Sequence, residues 1–156
     1  GITYGEDALC SYPCMLDAEK ICMIDQGFYY YRENLQSVCN VYNEKMFSKL
    51  ILLGTELERQ FAERNCDLQS QVFGYLARHS LECIRNELLY HTGASFKEKK
   101  ARINQFVGNS LIKKSLCYAI PHIKDQKTKI EMILAGHKMR GMLNLLYLGR
   151  KGIVCK

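Results

Sequence analysis

The chain has 156 residues, with 22 Lys and Arg against 16 Asp and Glu, eight cysteines, two prolines, no tryptophan and an apolar share of 47%. That length is the commonest size of one domain and the apolar share is enough for a core, which excludes a disordered chain and predicts a single domain over residues 1–156. No uncharged apolar run approaches about 18 residues, so no segment is expected to span a membrane.

The chain begins Gly1-Ile2-Thr3-Tyr4-Gly5-Glu6-Asp7. It lacks the basic start and apolar stretch of a signal peptide, so it reads as a mature form. The stretch from about Leu16 to Val38 is expected to be helical, although Tyr29, Tyr30 and Tyr31 would also suit a strand. On a helix these three tyrosines, with Phe28 and Arg32, would wrap aromatic surface right round it. They form a candidate binding surface, because Tyr and Arg concentrate at binding hot spots. The plainer alternative is that the rings cover neighbouring helices.

Met46, Leu50, Leu53, Leu57 and Phe61 recur at intervals of three and four, which predicts one continuous helical stripe. A second helix is expected to start near Asp67 as its cap and to carry Val72, Leu76 and Leu88 toward His91 and Gly93. Ser95-Phe96-Lys97-Glu98 has the Ser-x-x-Glu pattern of a capping box, and Ile103, Phe106, Val107 and Leu111 follow at helical spacing. Pro121 ends that helix or opens its successor. From about Asp125, the set Ile130, Ile133, Leu134, Met142, Leu145 and Leu146 predicts a last helix, weakened by Gly136 and Gly141. Residues 141–149, flanked by Arg140, Arg150 and Lys151, are apolar enough to lie on a membrane surface but too short to cross one. A buried last helix explains the same pattern. About five helices with short turns predict an all-α, antiparallel helical bundle.

The cysteines stand at 10, 14, 22, 39, 66, 83, 117 and 155. Only Cys10 and Cys14 have knuckle-like spacing and His79, His91, His122 and His137 form no close pair, so no metal or other cofactor is assigned. Eight cysteines spread over the chain instead fit disulfides in a secreted, extracellular protein. Helix lengths constrain their pairing. Cys39 and Cys66 would lie roughly 40 Å apart at the two ends of one helix, and Cys66 and Cys83 roughly 25 Å apart along the next, both beyond disulfide reach. Cys66 and Cys117 are therefore expected to bond to the cluster of Cys10, Cys14 and Cys22, and Cys39 to Cys83 or Cys155.

The charge is divided along the chain. Residues 97–156 hold 14 basic and 3 acidic side chains, a net +11, whereas residues 1–96 stand at −5. If the last two helices are antiparallel neighbours, Lys97, Lys100, Lys113, Lys114, Lys124, Lys127, Lys138 and Arg140 can merge into a basic face for a protein receptor, a heparin-like glycan or an acidic lipid surface. The plainer alternative is that these are the solvated faces of amphipathic helices. No motif interleaves aromatics with these cations as nucleic-acid binding would require. No nucleophile elbow, phosphate loop or His-Glu zinc motif occurs, so no catalytic residue is assigned and the chain is expected not to be an enzyme. Six methionines could line an apolar cavity or merely fill core gaps. The leading expectation is a secreted, hormone-like or effector-like protein that acts by contact with another macromolecule. The alternatives are a carrier of a small apolar ligand and a membrane-active, toxin-like protein.

Overall fold

The computed structural model describes residues 5–30, 41–65, 67–137 and 141–147, and everything described is helix, turn or irregular chain. The helices are α1 (Glu6–Asp17), α2 (Met46–Glu63), α3 (Gln69–Arg85), α4 (Phe96–Gly108), α5 (Ser110–His122) and α6 (Gln126–Gly136). Residues 141–147 are also helical and are labelled α7. The all-α bundle predicted from periodicity is therefore present, with more and shorter helices than expected.

The stripe on α2 packs as predicted: Leu50, Leu53, Leu57 and Phe61 are buried and Met46 packs at its edge. Burying each such side chain contributes about 1.5–3 kcal/mol. Gly54 lies on the same face, where an added Cβ would stand 2.7 Å from Leu76 Cδ1 and 3.0 Å from Leu111 Cδ2. Glycine there lets α2 press closely on α3. Packed against both α2 and α5, α3 is the central helix and buries Val72, Leu76, Ala77, Leu81 and Ile84. The main neighbour of α5 is α3, not α4. Neighbours in space are thus not always neighbours in sequence.

Local signals explain most helix ends. Ser95 and Glu98 form the predicted capping box. Asn109 breaks the expected single helix into two, because its side chain accepts from Leu111 N and Ile112 N and starts α5. Asp125 caps α6 by accepting from Thr128 N at 2.8 Å. Pro121 sits in the last turn of α5, which ends one residue later. Asp67 does not cap α3. Leu68 holds that position, with no side-chain cap. The end of α3 passes into a π-helical turn, Asn86–Tyr90, that buries Leu88 before the chain reaches His91.

Other expectations are corrected. Residues 18–30 are not helical, so Tyr29 and Tyr30 do not wrap a helix; Tyr31 and residues 32–38 lie outside the described residues. Ile130, Met142, Leu145 and Leu146, predicted to face the core, are exposed. The buried side of this region is formed by Glu131, Met132, Leu134, Ala135, Leu143 and Tyr147. No disulfide joins described cysteines. Cys10, Cys14, Cys22 and Cys117 are exposed thiols, and the Cys83 thiol is buried, 3.8 Å from the Met46 carbonyl oxygen to which it donates. Cys39, Cys66 and Cys155 lie outside the described residues. The expected bonds of Cys117 to the N-terminal cluster and of Cys39 to Cys83 are therefore not formed, since Cys10, Cys14, Cys22, Cys83 and Cys117 are all thiols.

Candidate functional site

Of the predicted basic face, Lys97 and Lys100 stand in the first turns of α4, Lys113 and Lys114 in those of α5, Lys124 before the cap of α6, and Lys127 in its first turn. All six are exposed. None forms an ion pair with a described residue. Four of the five described arginines behave differently: Arg59 pairs with Glu56 and Glu63, Arg64 with Asp17, Arg85 with Glu131, and Arg102 with Glu44 and Glu87. Arginine thus ties the fold together, as its planar fork favours, while these lysines leave compact charges in water. Lys138 and Arg140 lie outside the described residues.

The structure does not merge the lysines into one patch. The 13 residues of α5 span about 20 Å at 1.5 Å per residue, with Lys113 and Lys114 near one end and Lys124 and Lys127 beyond the other. Of the second group, Lys124 lines a cleft of about 660 Å³ between α3 and α6, together with Arg78 and Arg85 and with Glu82, Asp125 and Glu131. Each of these carboxylates already has a donor. His79 Nδ1 lies 2.8 Å from Glu82, Asp125 accepts from Thr128, and Glu131 accepts the Tyr147 hydroxyl at 3.2 Å. Hydrogen bonds from Thr128 also hold the Asp125 carboxyl below its ordinary pKa. What remains uncommitted at the cleft is cationic: Arg78, which the sequence reading missed, and Lys124.

A second cluster, also missed, surrounds Glu87 in the π-helical turn. Glu87 is buried. Its carboxylate accepts from His91 Nδ1 at 2.8 Å and from the Tyr42 hydroxyl at 3.1 Å. Arg102 Nε is 3.2 Å away but makes no hydrogen bond, so that contact is an ion pair alone. The His91 ring stacks on Tyr42 at 4.1 Å. Burial, followed by the nearby Glu87 charge, pushes the Tyr42 phenol up to about 12. A buried carboxylate orienting an imidazole is an arrangement suited to a general base. Here the groups satisfy one another, and among the described residues no hydroxyl or thiol nucleophile bonds to His91. The cluster fixes the chain entering α2, with help from Asn43 and Asn86, which exchange bonds of 3.1 and 3.0 Å.

A third feature is an apolar groove of about 300 Å³ where α1 meets α2 and α3, lined mainly by Tyr12, Met15, Leu16, Phe61, Leu68 and Val72. It is open to solvent. The predicted aromatic surface falls elsewhere: Tyr30 is 90% exposed in the irregular chain after α1. Among the described residues no group of three or more metal-ligating side chains converges, and no helix is long and apolar enough to cross a membrane. The chain matches no protein-family model, no curated protein and no solved structure.

Proposed function

We propose that this chain is a non-enzymatic, extracellular binding protein that acts by contact with an acidic macromolecular surface through the lysines of its C-terminal half. One observation carries the reading: Lys97, Lys100, Lys113, Lys114, Lys124 and Lys127 are exposed and without ion pairs among the described residues, whereas four of the arginines are paired. Unpaired surface lysines repel one another, and an acidic partner relieves that repulsion. Retention on a heparin column in physiological salt tests it. The fourfold change Lys113→Glu, Lys114→Glu, Lys124→Glu and Lys127→Glu abolishes retention on this reading, and unchanged retention rejects it.

The groove between α1, α2 and α3 supports a second reading, a carrier of a small apolar ligand. Its apolar lining and its opening to solvent suit such a molecule. Displacement of a fluorescent apolar probe, lost in Val72→Glu, is the measurement. The extracellular assignment rests on the cysteine count alone, and a mass-spectrometric map of the unreduced, full-length protein decides it.

A further inference from the structure

We propose that the outward side of α7, with the adjoining cationic end of α6, is an interfacial anchor for an anionic lipid membrane; this rests on the basic-surface reading and names its partner. Leu143 and Tyr147 face the core, and the Tyr147 hydroxyl bonds Glu131 at 3.2 Å, which holds α7 against α6. At about 100° per residue, with Leu143 as zero, Leu146 lies near −60°, Met142 near −100° and Leu145 near −160°. These three make one arc about 100° wide, the width of stripe that a helix ordinarily turns toward a core. Yet Met142 is 52% and Leu145 70% exposed, and Leu146 37%. The helix is therefore apolar on both sides, and among the described residues only one is covered.

Charge and residue type indicate what covers the other. On α6, beside Glu131, Ile130 is 50% exposed. Lys127 is three residues before it and hence on the same helix face. Lys124 precedes the cap. Flexible aliphatic chains beside lysines are the chemistry of a helix lying at the headgroup boundary, where ammonium groups meet lipid phosphates and Leu and Met enter the acyl region. A protein partner would favour other residues, because protein interfaces deplete Lys and their hot spots favour Trp, Tyr and Arg over Leu. The irregular chain of a second copy, with Glu19, Asp25 and exposed Ile21 and Met23, is the competing occupant.

The test is co-sedimentation of the full chain with phosphatidylcholine vesicles with and without phosphatidylserine, for wild type, Leu145→Gln and the double variant Met142→Gln with Leu145→Gln. Both positions are exposed, and circular dichroism checks that the variants fold. The expected result is binding only to phosphatidylserine vesicles, weakened at least about tenfold in the double variant and less in the single one, because two apolar side chains no longer leave water. Heparin retention of the double variant stays as in wild type. Wild type retained on heparin yet absent from the vesicle pellet overturns the membrane proposal and leaves the basic-surface reading standing; failure of wild type in both assays removes both. Equal vesicle binding by wild type and double variant also overturns it. So does a concentration-dependent dimer in sedimentation equilibrium that the double variant loses while vesicle binding is absent, which assigns the face to a second copy.

Discussion

Tyr42 and Glu87, 45 positions apart, are joined by a hydrogen bond of 3.1 Å that fixes the chain entering α2 to the π-helical turn after α3. The same carboxylate takes His91 and faces Arg102, so its charge is compensated although it is buried. Removing one member of such a group leaves the others without their partner. Glu87→Ala is expected to destabilise the fold by about 3–5 kcal/mol, whereas Tyr42→Phe, which deletes one hydrogen bond, costs about 1 kcal/mol. Urea unfolding followed by circular dichroism separates the two. Equal, small losses would show that Glu87 is hydrated rather than buried.

The same phenol gives a prediction in alkali. Tyr42 and Tyr75 are both pushed up to about 12, chiefly by burial. In the unfolded chain both ionise near pH 10. Between the two values the unfolded state has lost protons that the folded state retains, so stability falls as pH rises from about 10 to 12 and is unaffected below that window. Ultraviolet titration should show the last tyrosine ionisations coinciding with unfolding. Tyr42→Phe should flatten the fall in melting temperature over that range. An unchanged slope in that variant would mean that Tyr42 ionises without strain.

Gly54 and Gly74 occupy helices yet should respond to alanine with opposite signs. Helix propensity alone favours Ala over Gly by about 1 kcal/mol at either place. At Gly74 nothing lies within 4 Å of the new methyl group, so the propensity gain is expected in full. At Gly54 the methyl group would stand 2.7 and 2.9 Å from the terminal carbons of Leu76, itself wholly buried. Overpacking of this kind costs about 1–3 kcal/mol and outweighs propensity. Melting temperatures of the two variants decide the matter, and a stabilised Gly54→Ala would show that the crossing of α2 and α3 yields easily.

These positions also show what the sequence made legible. The stripe from Leu50 to Phe61 was readable because all its named members lie buried in one core, and Ser95 with Glu98 because a capping box is closed within four residues. Asn109 was passed over because Ile103, Phe106, Val107 and Leu111 keep helical spacing across the break, while the side chain that starts α5 acts only on the next few residues. The phase of the last helix misled for a different reason. Met142, Leu145 and Leu146 form as good a stripe as Leu143 and Tyr147, and periodicity cannot tell which of two apolar sides the tertiary contacts will cover. The Glu87 cluster draws on positions 42, 87, 91 and 102, and a cluster assembled from three separated segments leaves no local pattern.

The pair of Asp17 and Arg64, with two contacts of 2.9 Å, fastens the end of α1 to the end of α2. Hydrogen bonding to Arg64 holds the Asp17 carboxyl below its ordinary value. A carboxyl lowered on folding adds stability that is complete above its unfolded pKa, near 4, and is lost as pH falls through the lower folded value. Wild type should therefore lose protection of α1 amides on acidification below about pH 4, as read by hydrogen exchange. Asp17→Asn should show weak protection of α1 already at neutral pH. Full protection of α1 in that variant would transfer the role to the packing of Tyr12 on Phe61 and Tyr75.

The thiols distinguish the fold described here from the cross-linked bundle that spacing suggested. Cys10, Cys14, Cys22 and Cys117 are exposed and Cys83 is wholly buried. An aromatic disulfide reagent should therefore label Cys10, Cys14, Cys22 and Cys117 rapidly in the native protein, and Cys83 at a rate set by opening of the core. Cys117→Ser should remove one fast equivalent, because this thiol lies on the outer side of α5 with Lys113 and Lys114 one turn before it. Mapping labelled peptides assigns each rate to its residue. If Cys10, Cys14 and Cys117 were all inert in the unreduced protein, they would be paired after all, with partners that they do not bond in the fold described here.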